Sequence, residues 1–120
     1  VLSDLRGKVV LLSFWASWNK ASVNANLKLK EVYEKYNRKG FEIYQVSFDK
    51  SVNQWNRAIR FDELPWLNVN DSTFPNSITA LNYNVNNLPW NYLIDKNMET
   101  ILGKNLNSIE INNILSELLN

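Results

Sequence analysis

Asn19 and Ser22 are the polar pair placed where chemistry would be done. They stand at the end of the apolar run Leu11-Leu12-Ser13-Phe14-Trp15-Ala16, just after Ser17-Trp18 and at the opening of a helical stretch. A helix N-terminus offers unpaired backbone amides and the positive end of the helix dipole, so the pair could hold an anion. Ser22 as a nucleophile would need a base. The chain has no histidine, and the neighbouring Lys20 reads as a solvated cation. The plainer roles are an N-cap for Asn19 and a first-turn position for Ser22.

Around this pair the chemistry is bounded by what the chain lacks. It has 120 residues, no cysteine and no histidine. Disulfide, thiolate-zinc and thiol redox chemistry are therefore absent from these residues. Asp49, Asp62, Glu63, Asp71 and Asp95 are scattered without metal-ligand spacing and read as turn residues. No metal or other cofactor is expected. With 13 basic and 12 acidic residues the net charge is +1, which argues against a nucleic-acid partner. No apolar run reaches membrane-spanning length and no signal-peptide pattern opens the chain. The start at Val1, almost directly before a core strand, suggests a 1–120 domain forming the C-terminal part of a longer protein.

The elements that must position the pair follow from periodicity. Val9–Trp15 is a nearly unbroken apolar run, as expected of a central strand covered on both faces. A helix is predicted from Lys20 to about Arg38, with Val23, Leu27, Val32, Tyr33 and Tyr36 on its inner face and Gly40 as its stop. Phe41–Phe48 is the second strand. Ser51-Val52-Asn53-Gln54 has a capping-box pattern, opening a helix that carries Val52, Trp55 and Ile59 and ends near Phe61. A short extended piece is expected near Val69, then a loop over Asp71–Ser77 containing Phe74-Pro75. A short helix over Ser77–Tyr83 should end at Asn84. Trp90–Ile94, a turn at Asp95–Met98 and Glu99–Leu102 form a hairpin. Asn107 or Ser108 caps a last helix whose Ile111, Ile114, Leu115 and Leu118 face inward. This order predicts an α/β mixed sheet with helices on both faces.

The stretch Val9–Trp18 resembles the strand that leads to the active site in the TlpA/ResA-type thioredoxins, which are thiol–disulfide oxidoreductases of the bacterial cell envelope. The resemblance continues through Val32–Tyr36, Gly40–Asp49, Leu64-Pro65-Trp66, Leu88-Pro89 and Tyr92–Asp95 to the C-terminal helix. It implies the thioredoxin fold, with the N-terminal hairpin truncated. It implies that Pro89 is the cis-proline beside the active site and that the residue 88 backbone pairs with an extended substrate segment. It places Asn19 and Ser22 where the attacking and resolving cysteines belong, Lys20-Ala21 between them, and Ser13 where some relatives keep a buried acid. An amide and a hydroxyl cannot form a mixed disulfide.

The expected function is therefore a redox-inactive thioredoxin-like domain that binds a protein or extended peptide through Trp18, Asn19, Ser22, Leu88, Pro89 and Trp90. The resemblance implies the cell envelope or periplasm. The alternatives are a thiol–disulfide oxidoreductase by family membership, with cysteines supplied elsewhere, and a structural or dimerising module of an envelope protein. Trp15, Trp55 and Trp66 read as core or loop anchors.

Overall fold

The computed structural model describes residues 2–73 and 77–119. Its centre is strand β1 (Val9–Trp15), buried at every position. It pairs in parallel with β2 (Phe41–Ser47), Val9 opposite Phe41 and Trp15 opposite Ser47. On its other side it pairs antiparallel with β4 (Trp90–Ile94), Phe14 opposite Trp90. β3 (Leu67–Asn70) extends the sheet parallel to β2, and β5 (Ile101–Lys104) closes it antiparallel to β4. The five-stranded order is β3-β2-β1-β4-β5, the mixed sheet of a thioredoxin fold.

The connections explain where the helices lie. β1, β2 and β3 step in one direction, so right-handed crossovers put α1 (Lys20–Tyr36) and α2 (Val52–Asp62) on the same face. α4 (Ser108–Leu119) joins them there. Val9, Leu11 and Trp15 of β1 meet Leu29, Val32 and Tyr36 of α1 and Ile111 and Leu115 of α4 in one core cluster. Trp55 and Ile59 of α2 pack against its edge. The alternate strand residues Leu12, Phe14 and Val46 form a second cluster on the opposite face, under Ala80 of α3 (Ile78–Asn82) and Val85. Helices thus flank both faces, as expected of a strand with no polar side.

Several local rules are visible. Ser51 Oγ accepts from Gln54 N at the start of α2. Asn107 and Glu110 cap α4 reciprocally, each side-chain oxygen accepting from the other's backbone amide. Asn84 takes the left-handed conformation expected of it (φ +54°). Gly40, at φ +103°, lets the chain leave the helix and enter β2.

Four expectations need correction. α1 ends at Tyr36, and Asn37–Lys39 is a tighter 3-10 turn. Its buried positions are Ser22, Asn26, Leu29, Val32 and Tyr36, while Leu27 is 47% exposed. The stripe is rotated because two polar side chains take inward places. The returning strand is Ile101–Lys104, two residues later than expected, because Met98 adopts positive φ and Asn97 Oδ1 accepts from Glu99 N, prolonging the turn. Leu118 is half exposed, and Leu119 packs against the core in its place. Phe74-Pro75, expected in a loop, lies outside the described residues.

Candidate functional site

β1, β2 and β3 all end at one edge of the sheet, where α/β proteins gather their functional loops. At that edge β1 passes through Ala16, Ser17 and Trp18 into α1. Asn19 has extended backbone (φ −97°, ψ 111°), and its Oδ1 accepts from Ser22 N at 2.8 Å. It is the N-cap, as its type and position require. Replacing Asn19 by alanine should cost about 1 kcal/mol and fray the first turn of α1, read as a lower urea midpoint and faster exchange of the Ser22 amide.

The antiparallel pairing of Phe14 with Trp90 brings the other half of the site to the same edge. The Leu88-Pro89 peptide immediately before β4 is cis. Pro89 and Ala21, from the first turn of α1, line one cleft of about 380 Å³, which Ser13, Asn26 and Asn91 also line. Leu88, Pro89 and Trp90 are half-buried. Trp90 packs edge-on against Tyr92, with ring centroids 6.4 Å apart. Trp18 is 61% exposed, an unusual place for so large an apolar side chain. The junction and the cis-proline thus meet, with Trp18 standing out from them.

Ser22 takes its place in the first turn of α1 but does not reach the surface with Asn19. It is fully buried, and its Oγ has no hydrogen-bond partner among the described residues. It faces the sheet, out of reach of a ligand in this conformation, and cannot act beside Asn19 at the surface. Its neighbour one turn on, Asn26, is also buried and belongs to a polar network. Gln45 Nε2 donates to Asn26 Oδ1 at 2.7 Å and to Ser13 Oγ at 3.3 Å, while Trp66 Nε1 donates to Gln45 Oε1 at 2.8 Å. Ser13 is one acceptor in this uncharged network.

Asp49 lies in the turn after β2, as its sequence context predicts. It is 1% exposed and accepts from both the backbone amide and the hydroxyl of Ser17. Asp71, further along the same edge, accepts from Ser77 Oγ and from the amide and hydroxyl of Thr73. Its burial acts to raise its carboxyl, but hydrogen bonds from Ser77, Thr73 and Thr79 outweigh it and hold the carboxyl below its ordinary range. Away from the edge, burial and then the charge of Glu42 push Tyr33 up to about 12, so it stays a neutral phenol. Among the described residues no group of three His, Cys, Asp or Glu is placed to hold a metal.

The thioredoxin-like family model matches residues 7–100. The chain belongs to the thioredoxin-like family. This thioredoxin-like domain is 39% identical over 106 residues to the thiol-disulfide oxidoreductase ResA of Geobacillus kaustophilus (strain HTA426), covering 82% of this chain and 55% of that protein. It therefore spans little more than half the length of that curated relative. Its fold superposes on the thioredoxin domain of a thiol-disulfide oxidoreductase from Bacteroides vulgatus, with TM-score 0.90, 28% identity and coverage of 99% of this chain and 84% of that one. A thiol-disulfide oxidoreductase from Bacteroides fragilis NCTC 9343 gives TM-score 0.86 and 35% identity, over 95% of this chain and 83% of that one. The domain is thus a member of a thiol–disulfide oxidoreductase lineage whose own residues include no cysteine. No described helix is long and apolar enough to cross a membrane.

Proposed function

We propose that this is a redox-inactive thioredoxin-like domain that binds a protein or an extended peptide at the former active-site edge. One observation carries the reading. In a chain without a thiol, the cis Leu88-Pro89 peptide shares one cleft with Ala21 in the first turn of α1, and Trp18, just before that helix, is 61% exposed. The backbone of Leu88 would pair with the bound segment, and Trp18 and Trp90 would flank it with apolar surface. Asn19 would line this groove while its side-chain oxygen stays on the Ser22 amide. Ser22 contributes by packing beneath. The TlpA/ResA resemblance supports the bacterial cell envelope as the setting.

The test is a screen of extended peptides against labelled protein. A binder should shift the signals of Asn19, Leu88 and Trp90 together. Trp18→Ala should weaken it about tenfold or more, the usual cost of removing an aromatic anchor. If no peptide moves these signals, or if Trp18→Ala leaves affinity unchanged, the reading is wrong.

A further inference from the structure

Asp49 lies just past the end of β2, where a turn carboxylate would ordinarily point to water. Here it is 1% exposed, and a buried carboxylate is costly unless every lone pair finds a donor. The donors are specific. Ser17 N reaches Oδ1 at 3.0 Å and Oδ2 at 3.1 Å, and Ser17 Oγ reaches Oδ1 at 2.7 Å. Ser47 Oγ donates to Oδ2 and in turn accepts from Asp49 N. Asn70 Nδ2 donates to the Asp49 carbonyl at 2.9 Å, tying the same residue to the end of β3.

One residue therefore joins the ends of all three parallel strands, its carboxylate holding β1 and β2 and its backbone carbonyl β3, and among the described residues Ser17, just before Trp18, supplies three of the four hydrogen bonds to the carboxylate. Ser17 belongs to neither β1 nor α1, so its amide has no partner within a strand or helix. A charged acceptor is the strongest partner a lone amide can have. We propose that Asp49 is the positioning residue for this edge: its carboxylate fixes Ser17 and so sets the direction in which Trp18 and Asn19 leave the sheet. The positioning stands without any ligand. Only its consequence for affinity rests on the peptide-binding reading.

The test separates a local clamp from general support. In Asp49→Asn one carboxylate oxygen becomes an amide donor facing donors. Hydrogen exchange at the Ser17 amide should quicken about tenfold more than at Leu11 in the middle of β1, and the Trp18 indole signal should shift. A merely structural role would quicken both amides in parallel and follow the loss of global stability; that result, or an unmoved Trp18 signal, overturns the proposal. If Asp49→Asn does not fold, Ser17→Ala keeps the carboxylate and removes only the hydroxyl bond. It should shift Trp18 in a folded protein, and an unshifted signal there also overturns the positioning. Asp49→Glu, which restores the charge, should recover Ser17 protection in part, and recovery equal to that of asparagine would count against the charge. The peptide arm is read separately. Positioning predicts several-fold weaker binding of a peptide found in the screen, whereas a moved tip with unchanged affinity overturns only the use of that tip in binding.

Discussion

The double substitution Asn19→Cys/Ser22→Cys is expected to form an intramolecular disulfide and to give insulin-reducing activity where the natural chain stays at the level of buffer. An N-cap and the third residue of the helix after it lie about 5–6 Å apart at Cα, within the span a disulfide bridges. The burial difference helps. Asn19 is half-buried at the edge and Ser22 fully buried beneath it, so one sulfur would be open to attack and the other held inside. The helix N-terminus favours the thiolate, which is the nucleophile that exchange requires. The cap is lost in the reduced form, so that form should be less stable by about 1 kcal/mol. Thiol titration with and without reductant, followed by an insulin turbidity assay, checks this. Two thiols that remain free under oxidising conditions would show that the junction no longer has the required geometry. Activity of the natural chain above buffer would overturn the redox-inactive reading outright.

The largest stability effect is expected at Gln45. Its side chain is fully buried and serves three partners, Trp66 Nε1, Asn26 Oδ1 and Ser13 Oγ. Gln45→Ala opens a cavity and leaves the Trp66 donor and the Asn26 acceptor unpaired in the interior. At about 1–3 kcal/mol for each stranded group, the loss should reach about 3–5 kcal/mol, a large part of the ~5–15 kcal/mol available to a domain. Gln45→Leu should rescue little, because it fills the space and still strands the partners. Urea denaturation of both variants decides the matter. A leucine variant as stable as the natural chain would mean that the network contributes shape alone.

How much of this was legible in the sequence depended on whether polarity and burial agreed. The run Val9–Trp15 announced a central strand because only Ser13 in it carries a polar side chain. The caps at Asn19, Ser51 and Asn107 were legible because a cap is a local bond, set by neighbours in the chain. The inner face of α1 was misread for the opposite reason. Ser22 and Asn26 sit inward one helical turn apart, and Asn26 is matched there by Gln45 on β2, nineteen positions away. An apolar-stripe reading gives such places to Val23 and Leu27. Asp49 was lost in the same manner. Its partner Ser17 is separated from it by the whole of α1 and β2, and no local rule distinguishes a clamped aspartate from a solvated one. The fold was readable from pattern, and so was the strand–helix junction that Asn19 caps. The polar groups that shape the site required the third dimension.

The central place of β1 also governs how the chain must fold. Its first pairing, with β2, needs only the intervening α1 to be made. Its second waits for β4, so that Val10 meets Ile94 only when most of the domain has been synthesised. Until then one edge of a mostly apolar strand has no neighbour, and an open apolar edge is a template for pairing with other chains. Contacts so distant in sequence slow the search for the native state. Truncation before Trp90 should therefore yield aggregates, and folding on the ribosome should leave this strand exposed until the last quarter of the domain emerges.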